Sequence, residues 1–298
     1  MRKFNLKENA AKRMLGMQKA GQSEKSAYPD VPAEKTTDSG MTDGIRIVWR
    51  TDVGKIRQNN QDAVIIGSGL AGVADGMGGH NAGEVASCGL RDGLIAETAN
   101  HEPDENTLTE AIKTVNHVLY CKQENDSSLR GMGTTLTVLW PGKENMIVAQ
   151  VGDSRAYLIR GGEMKQITED HSMVADMVRR GVLTEEQAAT HPMRNYITRA
   201  VGTDEDVDVD IFREKRAAGD RWLVCSDGLY GMMSRTVLEE LSALEDPDKA
   251  ADLLMQTALD NGGRDNISMV LLMDDTGAAE DAEESCEDKN AQEVTENE

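Results

Sequence analysis

The sequence has 298 residues, 39% of them hydrophobic, which is enough to bury a sizeable core in one large domain or two small ones. Its net charge of −21 argues against nucleic acid as a partner, because a phosphate backbone would be repelled. No apolar run reaches the roughly 20 residues of a membrane span, and the N-terminus lacks the apolar core of a secretory signal. We therefore expect no stable membrane insertion and a cytoplasmic protein.

The two ends of the chain differ in composition from the region between them. Residues 1–43 are polar, carry more Lys and Arg than Asp and Glu, and predict a flexible basic arm with a short amphipathic helix around 6–17. The basic face of such a helix would suit a membrane surface or an acidic partner, although a solvated arm is the more frequent outcome. Residues 275–298 are strongly acidic with almost no large apolar side chain, which is typical of a disordered tail. The predicted folded domain is therefore 44–274.

Strand and helix patterns alternate densely within this domain. The predicted elements are strands at 45–49, 63–66 and 71–74, helices at 82–98 and 108–120, strands at 134–140, 145–151 and 156–160, helices at 173–180 and 185–189, strands at 207–212 and 221–225, helices at 235–244 and 248–261, and a final strand at 267–273. Helices come in pairs, and short turns such as GDSR and the hairpin Arg160-Gly-Gly-Glu join consecutive strands. This arrangement predicts an α+β fold, in which two antiparallel β-sheets form a central sandwich with helix pairs on its outer faces.

Four short motifs each place an aspartate beside a glycine, serine or asparagine at the edge of an apolar run. They are VADGMGGH, VGDSRAY, VCSDGLYG and GGRDNISMV, and their aspartates are Asp75, Asp153, Asp227 and Asp265. Any one of these aspartates alone is more often a turn or cap residue. Four carboxylates at strand ends, with no His or Cys cluster beside them, predict a site for a hard metal, Mg²⁺ or Mn²⁺. Two such ions can clamp a phosphoryl group between them.

A fifth motif supports phosphate as the ligand. The segment TDVGKIRQNNQD follows a predicted strand and places Arg57 five residues before Asp62. A guanidinium group is suited to bidentate binding of phosphate.

Other readings of single residues are weaker. Cys225 stands beside Ser226 and Asp227 and suggests a thiol nucleophile, but a small hydrophobic residue that ends a buried strand is the more common case. His171 and His191 suggest zinc, but no Cys or carboxylate stands at ligand spacing. The glycines at 76–79 lack the other residues of a nucleotide-binding loop.

Taken in order, these motifs resemble the metal-dependent serine/threonine protein phosphatases (PPM, type 2C), in particular the compact bacterial members. The resemblance runs from about Ile45 to Met273. It includes TDxGxxRxxNxD at 51–62, VADGMGGHxAGExAS at 73–87, GTTLT at 133–137, VGDSRAYL at 151–158, an insert at 168–202, and the final CSDGLY and GRDNISMV motifs.

The resemblance implies a metal centre built from five residues. Asp75 would bridge two ions, Mn²⁺ or Mg²⁺, and the backbone carbonyl of Gly76 would ligate one of them. Asp227 and Asp265 would ligate the other ion. Asp153, again with Asp227, would hold a third and weaker ion.

The resemblance also implies how the reaction proceeds. Arg57 would bind the substrate phosphate, and Asp62 would orient metal-bound water from outside the ligand shell. A hydroxide that bridges the metals would attack phosphorus in line, without a covalent phosphoenzyme. The insert at 168–202 would form a mobile flap beside the cleft that influences the choice of substrate.

Three features depart from the family pattern. Gln61 replaces a frequent glutamate, which keeps an oxygen acceptor but removes a charge and predicts weaker metal binding at that edge. Met77 stands where eukaryotic members have a histidine proposed as general acid, so the leaving-group proton must come from elsewhere. His80 is near in sequence, but a structural histidine is the more common case. The basic arm and acidic tail are additions to a minimal catalytic domain.

Two functions from different classes follow. The first is a monomeric phosphatase that acts on phosphoserine and phosphothreonine of proteins, among them a bacterial Ser/Thr kinase and its targets. The second is a pseudophosphatase that binds phosphoproteins without turnover, which only Gln61 favours. A two-metal nuclease is disfavoured by the acidic surface.

Overall fold

The structure is a computed structural model that describes residues 36–38, 44–79 and 82–275. The predicted helix around 6–17, the role of His80 and the acidic tail lie outside these residues. The strands are β1 (Thr36–Asp38), β2 (Ile45–Asp52), β3 (Asp62–Gly67), β4 (Leu70–Met77), β5 (Gly133–Thr134), β6 (Leu136–Pro141), β7 (Asn145–Val151), β8 (Arg155–Arg160), β9 (Glu163–Gln166), β10 (Asp210–Lys215), β11 (Arg221–Cys225) and β12 (Ile267–Asp274). The helices are α1 (Ala82–Thr98), α2 (Glu105–Asn125), α3 (Met173–Arg179), α4 (Glu185–Ala189), α5 (Asp227–Tyr230), α6 (Arg235–Ser242) and α7 (Pro247–Asp260), with a 3-10 turn at Ser127–Leu129.

The strands form two antiparallel sheets. The first has the order β1-β2-β12-β11-β8-β9, and the second has the order β10-β7-β6-β4-β3, with β5 paired to β4. The short strand β1 falls within the predicted basic arm and pairs with β2, so that Thr36 lies opposite Trp49.

Three apolar layers hold the sandwich together. Between the sheets, side chains such as Val73, Leu158 and Trp222 form one buried cluster, because successive residues of each strand point to opposite faces. A second cluster joins the outer face of the β4-containing sheet to α1 and α2, and a third joins the other sheet to α6 and α7. The predicted α+β sandwich with helix pairs on its outer faces is confirmed.

N-cap residues explain where two of the long helices begin. Asp104 caps α2, because its side chain accepts a hydrogen bond from the backbone N–H of Thr107 at 2.8 Å. Asp246 caps α7 in the same way, and Pro247 occupies the first turn, where its missing N–H costs nothing. Within the described ranges, no helix combines the length and the apolar character that crossing a membrane requires.

Three of the differences between the structure and the predicted elements bear on where segments of the chain lie. Strands β7 and β8 flank the GDSR turn but do not pair, because the turn carries the chain from one sheet to the other. The strand predicted at 207–212 begins only at Asp210 and continues to Lys215, where its pairing with β7 ends. The residues after Cys225 form the short helix α5 rather than a turn, with Asp227 as its first residue.

Candidate metal centre

A cleft of about 210 Å³ opens at one edge of the sandwich. Six of the seven predicted site residues line it, namely Arg57, Asp75, Gly76, Asp153, Asp227 and Asp265. They come from β4, from the turn after β7, from the start of α5 and from the loops before β3 and β12. The fold thus gathers residues that are separated by up to 208 positions in the chain.

Asp62, the seventh predicted residue, lies beneath the cleft. In the β3–β4 pairing it stands directly opposite Asp75, although it is buried and does not line the cavity. Its Oδ2 atom accepts a hydrogen bond of 2.9 Å from the hydroxyl of Ser226, which in turn accepts one of 3.1 Å from the backbone N–H of Ser268. Asp62 is therefore held by a chain of hydrogen bonds that crosses from one sheet to the other.

Glycine at position 76 is required by close packing. A β-carbon there would lie 2.2 Å from the carbonyl oxygen of Gly83 and 2.4 Å from that of Gln61. The backbone N–H of Gly76 donates to the same Gln61 oxygen at 3.1 Å. The start of α1 can approach β4 this closely only because neither Gly76 nor Gly83 has a side chain.

Asp153 and Asp227 belong to segments that contact each other. The hydroxyl of Tyr230, in α5, donates to the backbone oxygen of Asp153 at 3.1 Å. The guanidinium of Arg155 stacks 3.8 Å from the centre of the Tyr230 ring and is bonded to Asp170. These contacts tie the turn after β7 to the helix that carries Asp227.

Arg57 and Asp265 form an ion pair, with Nη2 and Oδ2 at 2.8 Å. The loop that carries Arg57 is held by the side chain of Asn266, which donates to the backbone oxygens of Val53 and Asn59 at 3.0 and 2.9 Å. The oxygen of the same amide accepts the backbone N–H of Gln61 at 2.9 Å. Asn266 therefore fixes the loop against the segment that presents Asp265.

The charges in and below the cleft repel one another. Burial raises the pKa of Asp62, Asp75, Asp153 and Asp227 above the usual range of a carboxyl group. Repulsion from neighbouring carboxylates adds to this effect, since Asp62 raises the pKa of Asp75 further and Asp265 raises that of Asp227. A cation bound among them would offset this repulsion.

The donor atoms fit a hard divalent ion. The Oδ1 atoms of Asp62 and Asp227 are buried without a hydrogen-bond partner, an arrangement that is costly for a carboxylate. Within the part of the chain that the structure describes, no three His, Cys, Asp or Glu side chains are grouped so that they could hold a metal ion, so an ion here would take further ligands from backbone oxygens and water. Mg²⁺ and Mn²⁺ suit such a site, because Mg²⁺ keeps several waters and both prefer oxygen ligands.

Several residues that line the cleft were not assigned a role from the sequence. Thr135 belongs to the GTTLT motif, and its hydroxyl accepts the backbone N–H of Asp75 at 2.9 Å. Asn195 and Ile197 come from the insert at 168–202 and have no local signal that would mark them. Asn266 follows Asp265 in a recognised motif, but only the structure shows that it holds the Arg57 loop.

The histidines of the insert are engaged in local contacts. Nδ1 of His171 accepts the backbone N–H of Gly152 at 3.0 Å, and Nε2 lies 3.0 Å from Asp210. Burial lowers the pKa of His171, which favours the neutral ring. Nδ1 of His191 accepts the backbone N–H of Met193 at 3.2 Å. These contacts give His171 and His191 local structural roles.

The antiparallel α-β-β-α sandwich, with its acidic cleft and an arginine at the edge, fits the class of metal-dependent phosphatases that the motifs resemble. The chain belongs to the family described as Protein phosphatase 2C, whose sequence model matches residues 55–271. This membership confirms the resemblance inferred from the motifs.

The chain is similar to two groups of bacterial relatives. It is 38% identical over 230 residues to the serine/threonine protein phosphatase PstP of Mycobacterium tuberculosis. The aligned region covers 76% of this chain and 44% of the relative. It is also 38% identical over 236 residues to the serine/threonine phosphatase stp of Listeria welshimeri. This alignment covers 75% of this chain and 94% of the relative. The chain thus spans less than half the length of the mycobacterial relative and nearly all of the Listeria one.

Solved structures of bacterial serine/threonine phosphatases share the fold of this chain. The crystal structure of M. tuberculosis PstP superposes with a TM-score of 0.73 at 37% identity and covers 77% of this chain and 98% of that structure. A second structure, the catalytic domain of PstP in complex with two manganese ions, has a TM-score of 0.71 at 36% identity.

Proposed function

We propose that this protein is a metal-dependent phosphatase that hydrolyses phosphoserine and phosphothreonine on proteins. The observation that carries the proposal is the cleft itself, which is lined by Asp75, Asp153, Asp227 and Asp265 together with Arg57. The buried Oδ1 atom of Asp227 has no hydrogen-bond partner, which favours a bound cation, and an arginine at the same site suits a phosphate. The substrates we propose are phosphorylated proteins, among them a Ser/Thr kinase of the same cell and the targets of that kinase.

The proposed metal centre holds two Mn²⁺ or Mg²⁺ ions, with a third and weaker site at Asp153. Asp75, the carbonyl of Gly76, Asp227 and Asp265 would hold the two principal ions. Bound there, the ions would neutralise the charge of the phosphoryl group and lower the pKa of a bound water to near neutrality. Asp62, held by Ser226, would orient such a water from below.

The chain itself contributes phosphate binding. The guanidinium of Arg57 is half exposed, with 51% of its side-chain surface accessible, and so reaches both solvent and the cleft. A phosphate that enters the site would compete with Asp265 for this group. Thr135 and Asn266 keep the backbone of Asp75 and the Arg57 loop in place, so little ordering is needed when substrate binds.

Hydrolysis of a phosphothreonine peptide tests the proposed function. Activity is expected with Mn²⁺ and is expected to be lost in EDTA and in Asp227→Asn. Activity that needs no divalent ion, or an Asp227→Asn variant with full activity, would contradict the proposal. Phosphopeptide binding without measurable Mn²⁺ binding in titration calorimetry would favour the pseudophosphatase instead.

Replacing Arg57 with alanine is expected to lower kcat/KM for the peptide by about 30-fold. The variant loses charge-assisted hydrogen bonds to phosphate, which are worth about 2 kcal/mol. Steady-state kinetics with Mn²⁺ measure the effect, and inorganic phosphate should inhibit the variant more weakly. Arg57→Lys is the matched control, because it keeps the charge but not the planar fork, and its loss should be smaller. Equal kcat/KM in wild type and Arg57→Ala would show that Arg57 does not bind the substrate phosphate.

Replacing Gln61 with glutamate is expected to tighten Mn²⁺ binding by about fivefold. Gln61 lines the cleft, and a negative charge there adds about 1 kcal/mol of attraction to a cation a few ångströms away. Titration calorimetry of both proteins measures the dissociation constants. An unchanged or weaker affinity in Gln61→Glu would show that this edge of the cleft does not face the metals.

A further inference from the structure

The surface around the cleft exposes apolar side chains. Among the described residues, four large hydrophobic side chains are exposed, and they are Ile56, Val182, Tyr196 and Leu253. Two of them adjoin residues that line the cleft. Ile56, 69% exposed, directly precedes Arg57, and Tyr196, 63% exposed, stands between Asn195 and Ile197. Neighbouring Cα atoms are only about 3.8 Å apart, so the backbone of both residues lies beside the wall of the cleft.

The cleft opens to solvent, and its lining includes Asp75, Asp227 and Arg57. The proposed function places the phosphorylated side chain of the substrate in this cleft. The residues that flank the phosphorylated side chain would then lie against the rim, the surface around the opening.

Both rim segments are held in place through their backbones. The backbone N–H of Lys55 donates to the carbonyl of Gly263 at 2.7 Å, next to the loop residues that Asn266 fixes. On the other side, the carbonyl of Tyr196 accepts the backbone N–H of Met173 at 2.9 Å. A backbone that is already held in place loses little further conformational entropy when a partner binds to its side chains.

The charge of the rim matches a phosphorylated partner. Ile56 stands between Lys55 and Arg57, two exposed cations that pair with Asp260 and Asp265 and for which a phosphate would compete. This segment therefore offers an apolar contact beside positive charge, which suits a phosphoresidue with an apolar neighbour.

We propose that Ile56 and Tyr196 form an apolar rim that selects substrate segments with bulky apolar residues next to the phosphoserine or phosphothreonine. The proposal rests on the proposed function and assigns a substrate class to the same site. The occupant is an extended, phosphorylated segment of another protein, whose phosphate enters the cleft while its neighbouring side chains cover Ile56 and Tyr196.

Binding of two peptides tests the rim. Both carry a non-hydrolysable phosphonate in place of the phosphothreonine phosphate. One has leucine on each side of that residue and the other has serine, and fluorescence anisotropy with Mn²⁺ measures their dissociation constants. The leucine-flanked peptide is expected to bind about tenfold more tightly to the unsubstituted protein. Ile56→Ser and Tyr196→Ser are each expected to weaken its binding about fivefold and to leave the serine-flanked peptide nearly unchanged.

Leu253→Ser is the matched control, because Leu253 is exposed on α7 and does not adjoin a cleft-lining residue. Equal affinity of the unsubstituted protein for the two peptides, or equal losses in Leu253→Ser and the rim variants, would overturn the inference. Hydrolysis of p-nitrophenyl phosphate by the unsubstituted protein separates the two proposals. Hydrolysis without a peptide preference overturns the rim alone, whereas a peptide preference without hydrolysis supports the rim and contradicts the proposed function.

Discussion

Replacing Asp75 with asparagine is expected to lower kcat/KM for a phosphothreonine peptide by about 10³-fold. Asp75 lines the cleft, stands opposite Asp62, and is the carboxylate that would bridge both metals. Metal ions contribute several kcal/mol to stabilising charge in a transition state, and a loss of about 4 kcal/mol corresponds to about 10³ in rate. Asparagine keeps the shape and one oxygen but cannot supply the charge that holds two cations together.

The stability of this variant separates a catalytic loss from misfolding. In EDTA, Asp75→Asn is expected to unfold at the same temperature as the wild type or higher, because it removes one of two like charges that face each other across β3 and β4. With Mn²⁺, the wild type should gain more thermal stability than the variant, since a ligand that binds only the native state stabilises it. Asp92→Asn, an exposed change on α1, is the control and should leave activity intact. Near-normal activity in Asp75→Asn would contradict the proposed bridging role.

Replacing Gly76 with alanine is expected to destabilise the protein by at least about 3 kcal/mol, at or beyond the usual range for overpacking. The added methyl group would meet two backbone oxygens, of Gly83 at 2.2 Å and of Gln61 at 2.4 Å. Neither oxygen belongs to a flexible side chain, so β4 and the start of α1 must move apart. For a domain of this size, the loss corresponds to a fall in melting temperature of about 6 to 12 °C.

Calorimetric unfolding of Gly76→Ala and Gly79→Ala measures this effect against a matched control. Gly79 is three residues away in the same glycine-rich segment, and a β-carbon there would meet no atom within 4 Å. Gly79→Ala is therefore expected to unfold within about 1 kcal/mol of the wild type. Equal stability of the two variants would show that the close approach of α1 to β4 is not required.

Asp75 and Gly76 are adjacent residues with different roles. Asp75 places a charge in the cleft, and Gly76 lets helix α1 pack against the strand that carries this charge. A loss of activity in Gly76→Ala would accompany a loss of stability, whereas the loss in Asp75→Asn would not. Measuring both quantities on both variants thus separates the chemistry of the site from its support.

Much of the site was recognisable from local motifs. Asp75, Asp153, Asp227 and Asp265 each follow or precede an apolar run, and such patterns depend only on neighbours in the chain. Periodicity likewise predicted the strands and helix pairs, because a buried face imposes a repeat on the residues that form it. The roles of the individual aspartates in metal binding remain predictions.

Other features depend on contacts between distant parts of the chain. The GDSR turn crosses between the sheets instead of closing a hairpin. The strands on either side of it are both largely buried, so their apolar patterns do not tell a hairpin from a crossing. The pairing of Arg57 with Asp265 joins residues 208 positions apart. No local pattern marks Asn195 or Ile197 as part of the cleft.

By itself, the sequence determined the class of fold, the types of the elements and the residues available for metal and phosphate binding. These properties follow from periodicity and from short motifs that are contiguous in the chain. Only the tertiary structure decided that Asp62 lies beneath the cleft opposite Asp75, and that the insert contributes Asn195 and Ile197 to the cleft wall. The physical reason is that burial, charge repulsion and close packing at the site arise between segments that only the folded chain brings together.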